Sequence, residues 1–148
     1  MDNQPEKRRP NHFRSGPPPA VRDNVAAVES MYQFILWLIP VLEGFPRSQK
    51  FMLGDRIQTG AMEVLDHLVE AAYTRDRQAL LRQANMGLEK LRFWLRMVKD
   101  LKLLDLKRWE HAARALDDVG RQVGGWLKAQ RAAATAAPTA GAEHAAAT

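Results

Sequence analysis

Apolar residues recur every three or four positions in four successive segments of the chain. This spacing places them on one face of a helix, and no stretch alternates with the period of two that a strand requires. The pattern predicts four helices of roughly 20 to 27 residues each. The predicted core positions are Val25, Val28, Tyr32, Ile35, Ile39 and Leu42; Leu53, Ile57, Ala61, Val64, Leu68 and Ala71; Leu81, Ala84, Leu88, Leu91, Leu95 and Val98; and Trp109, Ala112, Leu116, Val119, Val123 and Trp126.

The breaks between these segments have the residues that end and begin helices. Gly44 is predicted to take the left-handed conformation that ends the first helix, with Phe45 folding back onto it. Pro46 or Ser48 is expected to begin the second helix. The other predicted N-caps are Asp23 for the first helix, Thr74 or Asp76 for the third, and Asp105 for the fourth. All connections are short, so consecutive helices should be antiparallel, and the predicted fold is an all-α up-down-up-down four-helix bundle.

The first helix has more apolar residues than one core stripe needs. Phe34, Leu36, Trp37 and Leu38 lie beyond the stripe assigned above. A helix that is apolar on most sides is buried on most sides. The excess indicates either a wide core stripe or a subunit interface, and we favour the interface. Gly120 and Gly124 in the fourth segment fit a close approach between helices.

Composition divides the chain into three parts. Residues 1–21 contain five of the eight prolines and four cations, which is typical of a disordered basic arm. Residues 22–131 form the predicted bundle. Residues 132–148 belong to an alanine-rich stretch and are predicted to be a disordered tail, apart from a brief extension of the last helix.

The chain contains no cysteine, which excludes disulfides, thiolate zinc sites and cysteine nucleophiles. Its most apolar run, residues 31–42, would span about 18 Å as a helix, less than the ~30 Å core of a bilayer. No secretory signal is visible at the N-terminus. We therefore expect a soluble cytoplasmic protein with no membrane partner.

Charge is concentrated in the second half of the bundle. The whole chain has a formal net charge of +5 and a pI near 9.9. Residues 22–74 contain four cations and seven acids, whereas residues 75–131 contain fourteen cations and seven acids. Two sets of these cations share helical faces and form the predicted nucleic-acid-binding surface: Arg92, Arg96 and Lys99 on the third helix, and Lys107, Arg114, Arg121 and Lys128, spaced by seven, on the fourth. The alternative is an ordinary solvated surface on which Glu89, Asp117 and Asp118 neutralise some of these cations.

Candidate catalytic chemistry is sparse. Glu63, His67 and Glu70 share a face, but the chain lacks the Glu-x-x-His motifs of di-iron bundles. Nothing in the sequence pairs a nucleophile with an oriented base, and no phosphate-binding glycine motif is present. We therefore predict a protein that is not an enzyme and that uses neither metal nor cofactor.

Three motifs, in order, resemble one known family. They are FPRSQKFMLGDRIQ at the first corner, LEKLRFWLRMVKDLKLL across the third connection, and WEHAARALDDVGRQVGGWLKAQ in the fourth helix. Together they resemble the accessory variability determinant (Avd) proteins of diversity-generating retroelements, over about residues 30 to 130. A broader relative is the group of four-helix-bundle proteins encoded in ribosomal RNA intervening sequences.

The resemblance implies a barrel-like homopentamer with a basic surface. It further implies binding to a reverse transcriptase, template RNA and cDNA in support of mutagenic cDNA synthesis, with no catalytic centre. Arg47, Lys50 and Arg56 at the first corner are candidate contacts to the polymerase or to nucleic acid. Two alternatives stay open: a free-standing RNA-binding bundle associated with ribosomal RNA intervening sequences, and a purely structural oligomer.

Overall fold

The structure, a computed structural model, describes the backbone of residues 19–136 and the side chains from residue 26 onward. Across this part of the chain the backbone forms four long helices and no strand. They are α1 (Pro19–Glu43), α2 (Asp55–Tyr73), α3 (Gln78–Asp100) and α4 (Leu106–Ala136). The predicted all-α four-helix class is confirmed.

The four helices form a closed ring of neighbours. Each helix packs against the next one in sequence, and α4 returns to pack against α1. Because every connection is short, the helices alternate in direction. The α1–α2 corner and the α3–α4 turn therefore lie at one end of the bundle, and the α2–α3 turn lies at the other.

The predicted core is correct for α3 and almost complete for α2 and α4. All six predicted positions of α3 are buried, while Leu53 before α2 and Trp109 on α4 are only partly buried. On α1 the prediction is correct for Ile35 and Leu42, whereas Val28 and Ile39 are only partly buried. It is wrong for Tyr32, which is 46% exposed, and it missed the buried Met31, Phe34 and Leu38. The side chain of Val25 lies outside the described residues. The wide core stripe thus accounts for Phe34 and Leu38, two of the four surplus apolar residues.

Trp37 and Leu36 are the other two apolar residues of α1 beyond the predicted core stripe. The Trp37 ring packs against the imidazole of His111 on α4, with ring centroids 4.5 Å apart. Leu36 is 49% exposed and lies one helical turn from Tyr32, on the same face of α1. Among the described side chains of α1, Tyr32 and Leu36 are the large apolar ones that leave surface for a second subunit.

The α1–α2 corner closes without a left-handed glycine. No described glycine has a positive φ, so the predicted conformation of Gly44 is wrong. Instead the Gly44 and Phe45 amides donate to Val41 and Leu42 carbonyls at 3.2 and 3.1 Å, a tight last turn that satisfies these otherwise free acceptors. Phe45 does fold back as predicted, because it is buried in the core.

Pro46 takes the N-cap position of the next helical segment. Its carbonyl accepts the first helical hydrogen bond, from the Lys50 amide at 2.8 Å, so the predicted N-cap Ser48 lies inside the helix. The chain runs through one α-helical turn (Arg47–Gln49) and one π-helical turn (Lys50–Gly54) before α2 begins. The backbone dihedrals stay helical throughout, so this entry segment continues into α2.

Two of the other predicted caps are wrong and one is confirmed. Asp23 lies inside α1, which begins at Pro19, since proline's fixed φ suits the first helical position. The α3 helix begins after Arg77, so neither Thr74 nor Asp76 caps it. Asp105 caps α4 as predicted, because its Oδ1 accepts from the Arg108 amide at 2.8 Å.

The α3–α4 turn contains the one non-glycine residue with positive φ in the described part of the chain, Lys102 at 62°. The Leu103 amide donates to Val98 O and the Lys102 amide to Lys99 O, both at 2.9 Å. This is the Schellman arrangement, in which glycine is the usual left-handed residue. A lysine here adopts a backbone conformation that costs free energy.

The helix bounds differ from the predicted domain limits at both ends. Three residues assigned to the arm belong to α1, and α4 continues five residues into the predicted tail, as alanine's high helix propensity favours. Residues 1–18 and 137–148 lie outside the described residues. By length and composition Ala26–Glu43 is apolar enough to cross a membrane, with a mean hydropathy of 1.2. In the bundle, 33% of this window is buried.

Candidate nucleic-acid interface

The four predicted cations of α4 form an exposed line on the side opposite the core. Arg114 and Arg121 each follow a buried position, Ala112 and Val119, by two residues, which is about 200° around the helix. Lys107 and Lys128 extend the line by one repeat of seven at either end and are also exposed. The line therefore projects directly away from the bundle.

One member of this α4 line is neutralised by an acid. The Arg121 guanidinium pairs with Asp118, three residues earlier. Within residues 26–136, no carboxylate lies within ion-pair distance of Lys107, Arg114 or Lys128. Within the α4 line, these three are the cations that have no acidic partner.

Arg92 has a different environment from the α4 line. Its guanidinium bonds to Glu89 Oε1 at 2.5 Å and reaches α4, where Nη2 lies 3.4 Å from both Asp117 Oδ1 and the Leu116 carbonyl oxygen. Its Nε is buried and has no hydrogen-bond partner among the described residues. Arg92 is thus half-buried between α3 and α4, where it joins the two helices.

The other two predicted cations of α3 are also engaged. Arg96 is exposed and lies 3.9 Å from Asp100. Lys99 Nζ lies 3.7 Å from the other carboxylate oxygen of Asp100 and 4.1 Å from the centroid of the Trp109 ring. Lys99 therefore packs across the face of an aromatic ring on α4, a cation–π contact.

A groove of about 270 Å³ separates the two sets of cations. Phe93, Trp109 and Leu116 contribute apolar surface, while Arg92 and Arg96 lie at its margin with Glu89 and Asp117. Phe93 is 65% exposed. The sequence pattern did not reveal this groove because its aromatic residues are sixteen positions apart, on different helices.

The three corner cations do not form one cluster. Lys50 Nζ pairs with Glu43 at 2.5 Å, which ties the entry segment to the end of α1. Arg47 is exposed. Arg56 instead lies on the α3 side of α2, with its guanidinium carbon 5.3 Å from the centroid of the Trp94 ring. The corner therefore presents its cations in different directions.

The candidate metal face of α2 is divided by the packing. Glu63 and His67 line a cavity between α2 and α3, and Glu70 does not. Among residues 19–136 no three histidine, aspartate or glutamate side chains are grouped closely enough to hold a metal ion.

Comparison with known proteins gives one result for the family. A family model described as bAvd-like matches residues 25–130, which include nearly all of the bundle. No curated protein matches the chain.

Proposed function

This chain belongs to the bAvd-like family, since the family model covers more than half of it, and we propose that it acts as the non-catalytic accessory subunit of a diversity-generating retroelement reverse transcriptase. The family match is the observation that carries the proposal. In this proposal the protein binds the polymerase together with template RNA and cDNA, in the cytoplasm, and supports mutagenic cDNA synthesis.

The nucleic-acid part of the proposal rests on the α4 line. Lys107, Arg114 and Lys128 are exposed and have no acidic partner among the described residues. Neighbours in the line are about 10 Å apart, since seven residues rise that far along a helix. Cations placed in this way attract phosphates without reading sequence. An RNA or cDNA strand is therefore the ligand that we assign to this surface.

The groove beside the line adds a second kind of contact. Single strands are held by aromatic side chains on which bases stack, next to cations that hold the backbone. Phe93 is the exposed ring of the groove, and Arg96 lies beside it. We therefore assign base stacking to Phe93 and backbone contact to Arg96 and the α4 line.

The oligomeric part of the proposal is a homopentamer, as the family resemblance implies, and exposed apolar side chains support a contact between subunits. Tyr32 and Leu36 on α1 are 46% and 49% exposed, and Met62 and Val69 on α2 are 40% and 39% exposed. In each pair the spacing places both residues on one helical face. Exposed apolar surface of this kind marks contact sites. We assign these faces to the contact between subunits.

A pull-down with a candidate reverse transcriptase from the same genome, before and after nuclease treatment, tests the proposal. The expected result is an association that survives nuclease, because the contact is between two proteins. Loss of the association after nuclease would mean that the two proteins meet only through RNA. No association under either condition would favour the free-standing RNA-binding bundle.

Sedimentation of paired variants separates the two assigned surfaces. Changing Leu36 to glutamate should lower the mass from five chains, because it puts a charge into the subunit contact. Changing Arg114 to glutamate should leave the mass unchanged and weaken RNA binding. A change of mass in the Arg114 variant would place that residue in the subunit contact instead.

A further inference from the structure

A second cavity, separate from the basic groove, lies between α2 and α3. Its volume is about 340 Å³. Arg56, Glu63 and His67 line it from α2, and Gln83, Lys90 and Trp94 line it from α3. Pockets for small ligands have volumes of about 300 to 1,000 Å³, so this one is at the small end of that range.

Two glycines in helix interiors contribute to this cavity. A Cβ at Gly60 would overlap the Trp94 ring, and a Cβ at Gly87 would lie 2.5 Å from Cγ2 of Val64. Both glycines line the cavity. Glycine inside a helix lowers its stability, so these two positions let Trp94 and Val64 pack closely against the facing helix at the wall of the cavity.

The polar groups of the cavity lack partners. His67 Nδ1 is buried and has no hydrogen-bond partner among the described residues. Lys90 has no acid within ion-pair distance in residues 26–136. Arg56 is held against the Trp94 ring, 5.3 Å from its centroid, which fixes its guanidinium at the cavity. The cavity thus combines two cations with the carboxylate of Glu63 and the imidazole of His67.

We propose that this cavity binds a mononucleotide unit, with its phosphate on Arg56 and Lys90 and its base within reach of His67 and Gln83. An isolated carboxylate would use the two cations but would leave the apolar surface of Met86 and Trp94 without contact. A nucleotide has a dianionic group for the two cations, a flat body for the apolar surface, and base amino groups that can donate to the Glu63 carboxylate.

Calorimetric titration of the full chain with adenosine 5′-monophosphate tests this assignment. One nucleotide should bind per chain. The double variant Arg56→Gln/Lys90→Gln should lower the affinity by about tenfold or more, since neither of the two cations that hold the phosphate remains. The matched control Arg75→Gln/Arg131→Gln removes the same charge at two exposed residues outside both the cavity and the α4 line, and should change the affinity by less than about twofold.

The fluorescence of Trp94 gives a second, independent measurement of binding to this cavity. Nucleotide binding should change the tryptophan fluorescence of the wild-type chain. The change should be absent in Trp94→Phe, in which Trp37, Trp109 and Trp126 remain as tryptophans outside this cavity. A change that persists in Trp94→Phe would place the nucleotide elsewhere and overturn the proposal.

Three further results would overturn it. One is the absence of binding at about 1 mM nucleotide. Another is an equal fall in affinity in the two double variants, which would mean a general charge effect. The third is binding of inorganic phosphate or glutarate as tight as that of the nucleotide, which would make this an anion site for a phosphate or a partner's acidic side chain.

A competition experiment shows whether the cavity takes a free nucleotide or a nucleotide within a strand. A short single-stranded RNA should compete with the bound adenosine 5′-monophosphate if the site accepts a strand, and should fail to compete if it accepts only the free ligand. Either result keeps the mononucleotide assignment. The proposal does not depend on the polymerase, so a failed polymerase pull-down would leave these titrations unaffected.

Discussion

Gly120 on α4 leaves the space that the Arg92 guanidinium of α3 occupies. A Cβ at position 120 would lie 2.9 Å from Arg92 Nη2. The same nitrogen lies 3.4 Å from the Leu116 carbonyl oxygen, one helical turn before the glycine. The expected close approach at Gly120 is therefore real, but the partner is an arginine side chain rather than a helix backbone. Gly124 has no such neighbour within 4 Å.

Arg92→Gln should destabilise the bundle by about 1–2 kcal/mol, because it removes a charge-assisted link between two helices and leaves Asp117 without its partner. Arg114→Gln, on the exposed line, should change the free energy of unfolding by no more than about 0.5 kcal/mol. Urea denaturation of both variants measures the difference. Equal stabilities would mean that Arg92 is an ordinary surface cation.

Gly60→Ala should destabilise the chain by about 1–3 kcal/mol, because the new methyl group overlaps the Trp94 ring and forces α2 and α3 apart. Gly124→Ala is the matched control: its Cβ would meet nothing within 4 Å, so helix propensity alone should stabilise it by about 0.5–1 kcal/mol. Thermal melts of the two variants should shift in opposite directions. Shifts of the same sign would contradict the packing at Gly60.

Lys102→Gly should stabilise the protein by about 1 kcal/mol, because glycine adopts the left-handed conformation of this residue without the steric cost of a Cβ. Lys128→Gly, inside α4, should destabilise it by about 1 kcal/mol. The midpoint of chemical denaturation measures both effects. A lower stability in the Lys102 variant would show that the lysine side chain makes a contact worth more than the strain.

RNA binding should depend on salt through the unpaired cations of α4. Replacing Lys107, Arg114 and Lys128 with glutamine should weaken binding and lower the slope of log affinity against log salt by about 0.7 for each phosphate that the variant no longer neutralises. Arg121→Gln should have a smaller effect, because Asp118 already neutralises that side chain. Fluorescence anisotropy at several salt concentrations measures the slopes. An unchanged slope in the triple variant would exclude the α4 line as the RNA surface.

The sequence predicts the core best where a helix has one apolar face. On α3 the apolar residues form a single stripe, and every predicted position is buried. On α1 apolar residues surround most of the helix, so the spacing fits Tyr32 and Ile39 as well as Met31 and Leu38. Contact with the neighbouring helices decides between them, and periodicity alone cannot.

The candidate nucleic-acid surface, too, could be predicted from the sequence only in part. Spacing by seven is enough to place the α4 cations in one exposed line. It cannot reveal that Arg92 reaches Asp117 and Leu116, because those contacts join residues far apart in sequence. The packing of α2 against α3 around the cavity depends in the same way on two glycines from different helices, Gly60 and Gly87. Glycines inside helix patterns were the signal that could have indicated it.

The π-helical turn at Lys50–Gly54 has a consequence for how this chain tolerates changes in length. A hydrogen bond from i to i+5 encloses one residue more than an α-helical turn, so the turn acts as a one-residue insertion absorbed within a helix. Met52, 75% exposed, lies in that turn, whereas Ile57 is the first buried side chain of α2. Deleting one residue from this turn would convert it into an ordinary α-helical turn. The buried residues of α2 would keep their places in the core. The number of residues between Pro46 and Ile57 can therefore decrease by one without repacking the bundle.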